Sequence, residues 1–447
     1  MKINQINFNV KNFIIELAKN QIQLSYGCTE IGIVALACAK AGQLLPGKLK
    51  EATVKVSTSI YRNDVGVGVP NLGKCGMYAI AAAGFVLKTP EKKLSIVNDL
   101  TTEKISLVKK IAESGKIKIR IDYNAKPIYT LVEACDDRGN KALVKIEDYH
   151  DNITMAKLNG KETIKKAHNK SLASCGLNFD DHNNDIDLEE IYNFIKKLTI
   201  NDVSFLREGI KVNNDAVKWG KKYAHPTSIT NTLINISNDK YNYYKKNSWT
   251  NQILINVGAA IEARLFGDQI KVMTVANSGS HGIVIFVTLS TYAKLFKVNE
   301  LKLLQSILFA QYITWYIKSN IGHLCAMCGS AFAAAPSAIC GIAFQRGWSW
   351  KKINDLLNTH LCVLNNVACD GAKPSCAYKA CNSLLNGFFS LNVIDHNGRV
   401  SPNDGIVCKN VEDTIKNYKF LSQKTSEIIT NTTMKILDDM SKKIDNR

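Results

Sequence analysis

The longest uncharged stretch of the chain runs from Leu324 to Phe344, and it limits the fold more than any other segment. Its length permits a membrane span. Its content argues against one, because Ala, Gly, Ser and Cys dominate, large aliphatic residues are few, and Pro336 lies inside. The segment therefore reads as a buried helix that packs closely through small side chains. No other segment makes a convincing span, so no membrane partner is expected. With 46% apolar and 21% charged residues the chain has the balance of a folded globular protein with a large core. Its 447 residues suffice for two or three domains, or for one large domain with an insertion.

The patterning along the chain changes character once. Residues 8–22 have helical apolar spacing. Gly27 should break that helix, and Thr29 should cap the next one, which runs through Ile31 to Ala41. Residues 51–61 alternate as a strand, Asn63 to Gly76 reads as a glycine-rich loop over a site, and Met77 to Leu87 as a small-residue helix. Further strands are expected over Lys116–Ile121, Ile128–Cys135, Ala142–Glu147 and Asn152–Lys157. Polar residues 176–186 read as a linker, and everything from about 187 onward is helical. The expected class is α+β, with a helix-rich catalytic domain (1–50 plus 187–447), a smaller β-containing subdomain over 51–170 in the N-terminal half, and a linker over 171–186.

A formal net charge of +18 suggests nucleic acid or an anionic membrane. The lysines, however, come as singles and pairs such as Lys92-Lys93 and Lys442-Lys443, with no long basic run interleaved with aromatics. A solvated basic surface is the expectation, with no nucleic-acid partner. Thirteen cysteines is an odd number in a long chain, and Met1-Lys2-Ile3-Asn4-Gln5 lacks an apolar leader. Reduced thiols in a cytoplasm fit better than a disulfide framework.

Three of those cysteines carry the chemistry. Cys369 and Cys376 frame Cys369-Asp370-Gly371-Ala372-Lys373-Pro374-Ser375-Cys376, where Gly371 and Pro374 stop helix formation and let two thiols turn toward one centre. Cys328 lies 41 residues upstream of Cys369 in Leu324-Cys325-Ala326-Met327-Cys328-Gly329. Three thiolates can hold an iron–sulfur cluster and leave one iron open as a Lewis acid. The pattern equally suits buried core thiols or a structural metal, and Cys325 competes with Cys328 as a ligand. Cys340, Cys362, Cys381 and Cys408 read as core thiols. Cys28, at a helix start, is either a packed thiol or one whose thiolate the helix dipole favours. Ala276-Asn277-Ser278-Gly279-Ser280-His281-Gly282 is a tight turn or a nest of backbone N–H groups suited to a carboxylate. His168, His323 and His360 form no metal-binding pattern. Gly66-x-Gly68 lacks the context of a dinucleotide fingerprint.

Gly27-Cys28-Thr29-Glu30, Asn277-Ser278-Gly279-Ser280, the Leu324–Gly329 segment and Cys369–Ala377 occur in one order, and together they resemble the L-cysteine desulfidase family. That family is related to the alpha chain of iron–sulfur L-serine dehydratases, and the similarity extends from about residue 8 to 440. The resemblance implies a 4Fe-4S cluster held by Cys328, Cys369 and Cys376, with Cys28 as the acid/base residue. It implies β-elimination from L-cysteine, giving sulfide and aminoacrylate, which decays to pyruvate and ammonia. Asn277, Ser278, Gly279, Ser280 and His281 would bind the substrate, a small amino acid. L-serine dehydration and a non-catalytic iron–sulfur protein are the alternatives, and a homo-oligomer is compatible with either. The chain departs from the family at Ile31, where Pro is usual, in Arg62-Asn63-Asp64 and Val69-Pro70-Asn71-Leu72, and in a turn shorter by about two residues that carries His281. His281 reads as a local replacement, a proton shuttle or a surface residue.

Overall fold

A computed structural model describes residues 10–26, 29–64, 66–69, 72–74, 76–148, 150–165, 187–236, 248–322, 324–364 and 367–445. The fold is α+β. A six-stranded mixed sheet is built from the N-terminal half, and the C-terminal half is helical. Lys50 to Ser57 alternates outward and inward, burying Ala52, Val54 and Val56. Val132, Ala134, Ala142, Val144, Ile146 and Ala156 continue that apolar face on neighbouring strands, the period-two pattern of a sheet covered on one side. In spatial order the strands are Ile117–Asp122, Leu49–Ser57, Tyr129–Asp136, Lys141–Glu147, Ile153–Leu158 and Lys161–Lys165. Only the first pair is parallel. The helix Thr29–Leu44 lies on the sheet and against the helix Gly76–Leu87. Both are rich in alanine, which allows their close approach.

Four strands fall where the alternation placed them. The strand expected over 51–61 ends at Ser57, and a helix, Thr58–Asp64, follows. Ser57 causes the switch: its Oγ accepts from the Ile60 amide at 3.3 Å and donates to the Pro127 carbonyl at 2.6 Å, a side-chain alternative to the sheet ladder. The expected loop over 63–76 contains two short paired strands, Gly68–Val69 and Gly73–Lys74. The edge strand Lys161–Lys165 was not foreseen, because its polar sequence carries a single large aliphatic residue, Ile164. The first helix ends at Gln21, and a strand, Leu24–Tyr26, intervenes before the second helix, in which Thr29 is the first residue rather than the cap. The linker expected over 171–186 lies outside the described residues.

The uncharged stretch is buried, as its composition requires. Ser330–Ala334 forms one π-helical turn that Ala335–Gln345 continues as α-helix, and Pro336, which has no N–H to donate, lies just after the change of helix type. Its neighbours are the helices Gly279–Phe296, Glu300–Ile321, Trp350–Val363 and Cys376–Asp395. At Gly341 an added Cβ would stand 2.7 Å from Leu289 Cδ2, so any larger residue would have to displace that side chain. Among the described residues no helix is long and apolar enough to cross a membrane.

Candidate functional site

The loop before the π-helical turn and the loop before the helix Cys376–Asp395 clasp each other. The Cys328 amide donates to the Val367 carbonyl at 2.8 Å, and the Cys369 amide to the Ala326 carbonyl at 2.7 Å. Met327 and Ala368 form the antiparallel bridge between them. In such a bridge residues 328 and 369 are diagonal neighbours on one face, about 7–8 Å apart at Cα. Cys376 opens its helix, its amide donating to the Lys373 carbonyl at 2.8 Å, and its Sγ lies 3.5 Å from the Gly371 carbonyl oxygen. Gly371 has φ +103°, and an added Cβ there would meet the Arg62 carbonyl oxygen at 2.0 Å. The cysteine loop is thus pressed against the helix Thr58–Asp64.

The three thiols sense one another. Burial first, and then the nearby Cys369 and Cys376 sulfurs, push the Cys328 thiol up to about 12. Burial also raises Cys376, with Cys369 adding to the effect. Mutually repelling thiolates in a dry setting become favourable when a metal centre neutralises them. Among the described residues no three His, Cys, Asp or Glu side chains close on a single point suited to one metal ion. Ligands of a cubane need not do so, since each binds a different iron.

Cations surround these thiols. Lys379 Nζ contacts the Asp370 carboxylate and the Ala368 carbonyl (3.1 Å), while Lys373 Nζ reaches the Asp370 carbonyl at 2.6 Å. Burial would lower the Lys379 pKa, but Asp370 and then the Cys328 and Cys369 sulfurs outweigh it, and the net shift is upward. Burial pushes the Asp370 carboxyl up, and the two lysines more than reverse it. Two further cations are 2% exposed. Arg62 donates to Thr430 Oγ1 at 3.2 Å and to the Cys325 carbonyl at 3.4 Å, and its Nε has no partner. Lys318 Nζ lies 3.5 Å from Cys325 Sγ. Neither enters an ion pair with a carboxylate among the described residues. Buried cations of this kind call for a compensating anion nearby. An iron–sulfur centre bearing thiolates is such an anion, so the residues present fit one. Cys325 itself turns toward Lys318 and the Met327 carbonyl (3.6 Å), and it is not among the sulfurs that act on Cys328.

The 276–282 segment joins the same region. Val275 and Ser278 exchange backbone hydrogen bonds of 3.1 and 3.0 Å around Ala276 (φ +45°) and Asn277 (φ +59°), a turn of the I′ kind. The helix Gly279–Phe296 starts directly after it. Ser280 Oγ accepts from Arg264 Nη1 at 3.0 Å. His281 is 5% exposed, which corrects the surface reading, and its Nε2 lies 2.3 Å from where a Cβ on Gly329 would stand. Glycine at 329, next to Cys328, is what lets the imidazole in. Asn277 and Ser278 are half-buried.

Cys28, His168 and His323 lie outside the described residues. His360 is a core residue: its Nε2 is 2.9 Å from the Ser383 carbonyl oxygen, and burial lowers its pKa to about 4. Cys340 and Cys381 are core thiols as expected. Cys362 and Cys408 are only half-buried, and Cys408 lines a polar cavity of about 740 Å³. The sequence reading missed Arg62, Lys318 and Arg264 as site residues. Little in the sequence marked them, since Lys318 and Arg264 share their helices with other polar and charged residues such as Glu262, Glu300 and Lys302.

The model for the serine dehydratase alpha chain matches residues 91–438. The chain is similar to a UPF0597 protein of Clostridium perfringens (strain SM101), 29% identical over 433 residues, covering 97% of this chain and 99% of the relative. A UPF0597 protein of Clostridioides difficile (strain 630) is 28% identical over 437 residues, covering 96% and 100% respectively. One from Phocaeicola vulgatus is 28% identical over 432 residues, covering 96% and 97%. A match spanning the thiol clasp, the nest and most of the sheet leaves one assignment: the chain belongs to the serine dehydratase alpha-chain family.

Proposed function

We propose that the protein is a lyase that removes sulfide from L-cysteine, with a 4Fe-4S cluster held by Cys328, Cys369 and Cys376. The observation that supports this reading is the backbone clasp that joins the Cys328 and Cys369 loops beside the buried cations Arg62 and Lys318. Bound there, the cluster would supply a Lewis-acidic iron that stabilises the leaving group. The protein's own residues would do the rest. Cys28, which precedes the helix Thr29–Leu44 in the sequence, takes the α-proton, while the turn at Asn277–His281 and the first amides of the helix Gly279–Phe296 orient the amino acid. Loss of the α-proton and of HS⁻ from Cβ leaves aminoacrylate, whose imine tautomer hydrolyses to pyruvate and ammonia. His281, against Gly329, is placed to hold or pass a proton beside the thiols. The helix-rich part (1–50 and 187–447) would carry this chemistry, with the 51–170 subdomain contributing Arg62.

The description of the matching family favours a second reading, in which L-serine is the substrate and hydroxide leaves. Protein purified and reconstituted without oxygen should be brown and hold about four irons per chain. It should release pyruvate from both amino acids, faster from cysteine. Faster turnover of serine would reverse the substrate assignment. A reconstituted protein without iron would end the lyase reading. Equal inertness of wild type and Cys28→Ala, both holding the cluster, would make it a non-catalytic iron–sulfur protein.

A further inference from the structure

Arg264, near the end of the helix Trp249–Phe266, is 4% exposed. Its Nη1 donates to Ser280 Oγ at 3.0 Å, while its Nε has no hydrogen-bond partner. The arginine ion pairs among the described residues are made by Arg207, Arg346 and Arg399. Arg264 is thus a buried cation with no carboxylate partner among them. The guanidinium lies on the first turn of the helix Gly279–Phe296, since a Cβ on Gly279 would stand 2.6 Å from its Nε and 3.0 Å from its Cζ. The first hydrogen bond closing that helix runs from the Gly282 amide to the Ser278 carbonyl at 3.1 Å. The amides of Gly279 and Ser280 therefore precede the helical ladder, and the Ser278 side chain does not cap them.

A buried guanidinium facing the positive end of an 18-residue helix is unfavourable by itself. Burial strips the cation of water, and the helix dipole repels it. The same geometry becomes favourable when an anion lies between the guanidinium and the amides. Val272 Cγ2 stands 2.8 Å from the same added Cβ position, so the guanidinium is held against Gly279 by packing as well as by Ser280. One residue along the same turn, His281 reaches Gly329 beside Cys328. An anionic group at Arg264 would therefore lie one residue along the helix from the imidazole that meets the Cys328 loop.

We propose that Arg264 is a substrate-binding residue that receives the α-carboxylate of the amino acid together with the Gly279 and Ser280 amides. The substrate class is thereby restricted to small amino acids with a free carboxylate. This inference rests on the lyase reading for the identity of the ligand, and binding measurements separate the two. Calorimetry and thermal melting of the reconstituted protein should be run with L-serine, L-cysteine and their carboxylate-free analogues, ethanolamine and cysteamine. Wild type should bind and be stabilised by the amino acids and not by the amines. Arg264→Met should weaken amino-acid binding roughly tenfold to a hundredfold, the usual range for a lost charge-assisted pair. In turnover the loss should fall on KM more than on kcat. Without ligand the same variant should melt no lower than wild type, because it removes an uncompensated buried charge. Arg264→Lys keeps the charge without the planar fork and should bind with intermediate strength; it serves alone if the methionine variant does not fold. Amino-acid binding unchanged in both variants would overturn the inference, as would cysteamine binding as tightly as cysteine. Arg264-dependent binding of amino acids without turnover would sustain the inference and count against the lyase reading. Turnover with an unchanged KM in the variants would do the reverse.

Discussion

Replacing Gly371 by alanine tests whether the thiol clasp is what holds the metal centre. Two penalties follow from the structure. At φ +103° an L side chain is strained, at about 1–3 kcal/mol. The new Cβ would also stand 2.0 Å from the Arg62 carbonyl oxygen, where real Cβ atoms stay beyond 3.0 Å, so the loop must retreat by about 1 Å. Such overpacking adds about 1–3 kcal/mol, for a total loss of about 2–6 kcal/mol. The displacement matters more than the energy. Metal–ligand distances tolerate about 0.2 Å, and the loop that moves carries Cys369 at one end and Cys376 at the other. Iron affinity should therefore fall at least tenfold, the lower end of what misplaced ligands cost. The assay is iron and acid-labile sulfide per chain after anaerobic reconstitution, beside chemical denaturation of the iron-free protein. Gly139→Ala is the control, since Gly139 has φ +83° and nothing within 4 Å of an added Cβ. It should lose about 1–3 kcal/mol of stability and no iron. A Gly371→Ala protein that retains iron as wild type does would refute the clasp as the metal-holding element.

Three other outcomes are expected. Cys328→Ser should abolish cluster retention, whereas Cys325→Ser should keep it, because Cys325 Sγ faces Lys318 rather than Cys369 and Cys376; iron content of the two variants decides this. Arg62→Met should have opposite consequences in the two forms: little or no loss of stability in the iron-free protein, and a loss of about 1–3 kcal/mol in the iron-loaded one, where the charge has an anion to compensate. Denaturation with and without iron measures both. His360 should make stability fall on acidification. Its Nε2 serves the Ser383 carbonyl and its buried Nδ1 has no acceptor, so the folded state resists the second proton down to about pH 4, while the unfolded chain takes it up near 6.5. Stability should be level above that window and drop by about 3 kcal/mol in all from pH 6.5 to 4. His360→Gln should flatten the slope if the imidazole causes it.

The parts of this molecule that were legible in the amino-acid sequence are those set by local period and by burial. Alternation placed the strands from Ile117 to Leu158 because one face of the sheet is covered and the other is wet. The small-residue composition of 324–344 announced a buried helix because close neighbours such as Leu289 leave little room beside it at Gly341. What escaped was decided by side chains overruling the local pattern. Ser57 ends a strand that the apolar period would continue, by offering its hydroxyl to the Ile60 amide. Lys161–Lys165 joins the sheet edge through backbone pairing that its polar sequence does not signal.

The candidate site divides the same way. Its candidate thiols and the turn at 276–282 could be named from the sequence because cysteine spacing and a Ser-Gly-Ser turn are patterns in one dimension. Its cations could not, because Arg62, Lys318 and Arg264 lie on three separate helices and acquire meaning only by what they lack, an ion-paired carboxylate among the described residues. Each is nearly inaccessible, and each lies beside an element that carries a thiol or opens a helix: Arg62 and Lys318 beside the Cys325 loop, Arg264 on the first turn of Gly279–Phe296. A protein folding without ligands has every reason to exchange such residues for apolar ones of similar volume, a change that is often neutral or stabilising. Their presence makes sense when the folded state is completed by negative charge at two points, a metal centre at the thiols and a carboxylate at the helix. The stability of the chain should then rise with both ligands bound by more than either contributes alone, because each anion relieves a separate buried cation and neither competes for the other's place.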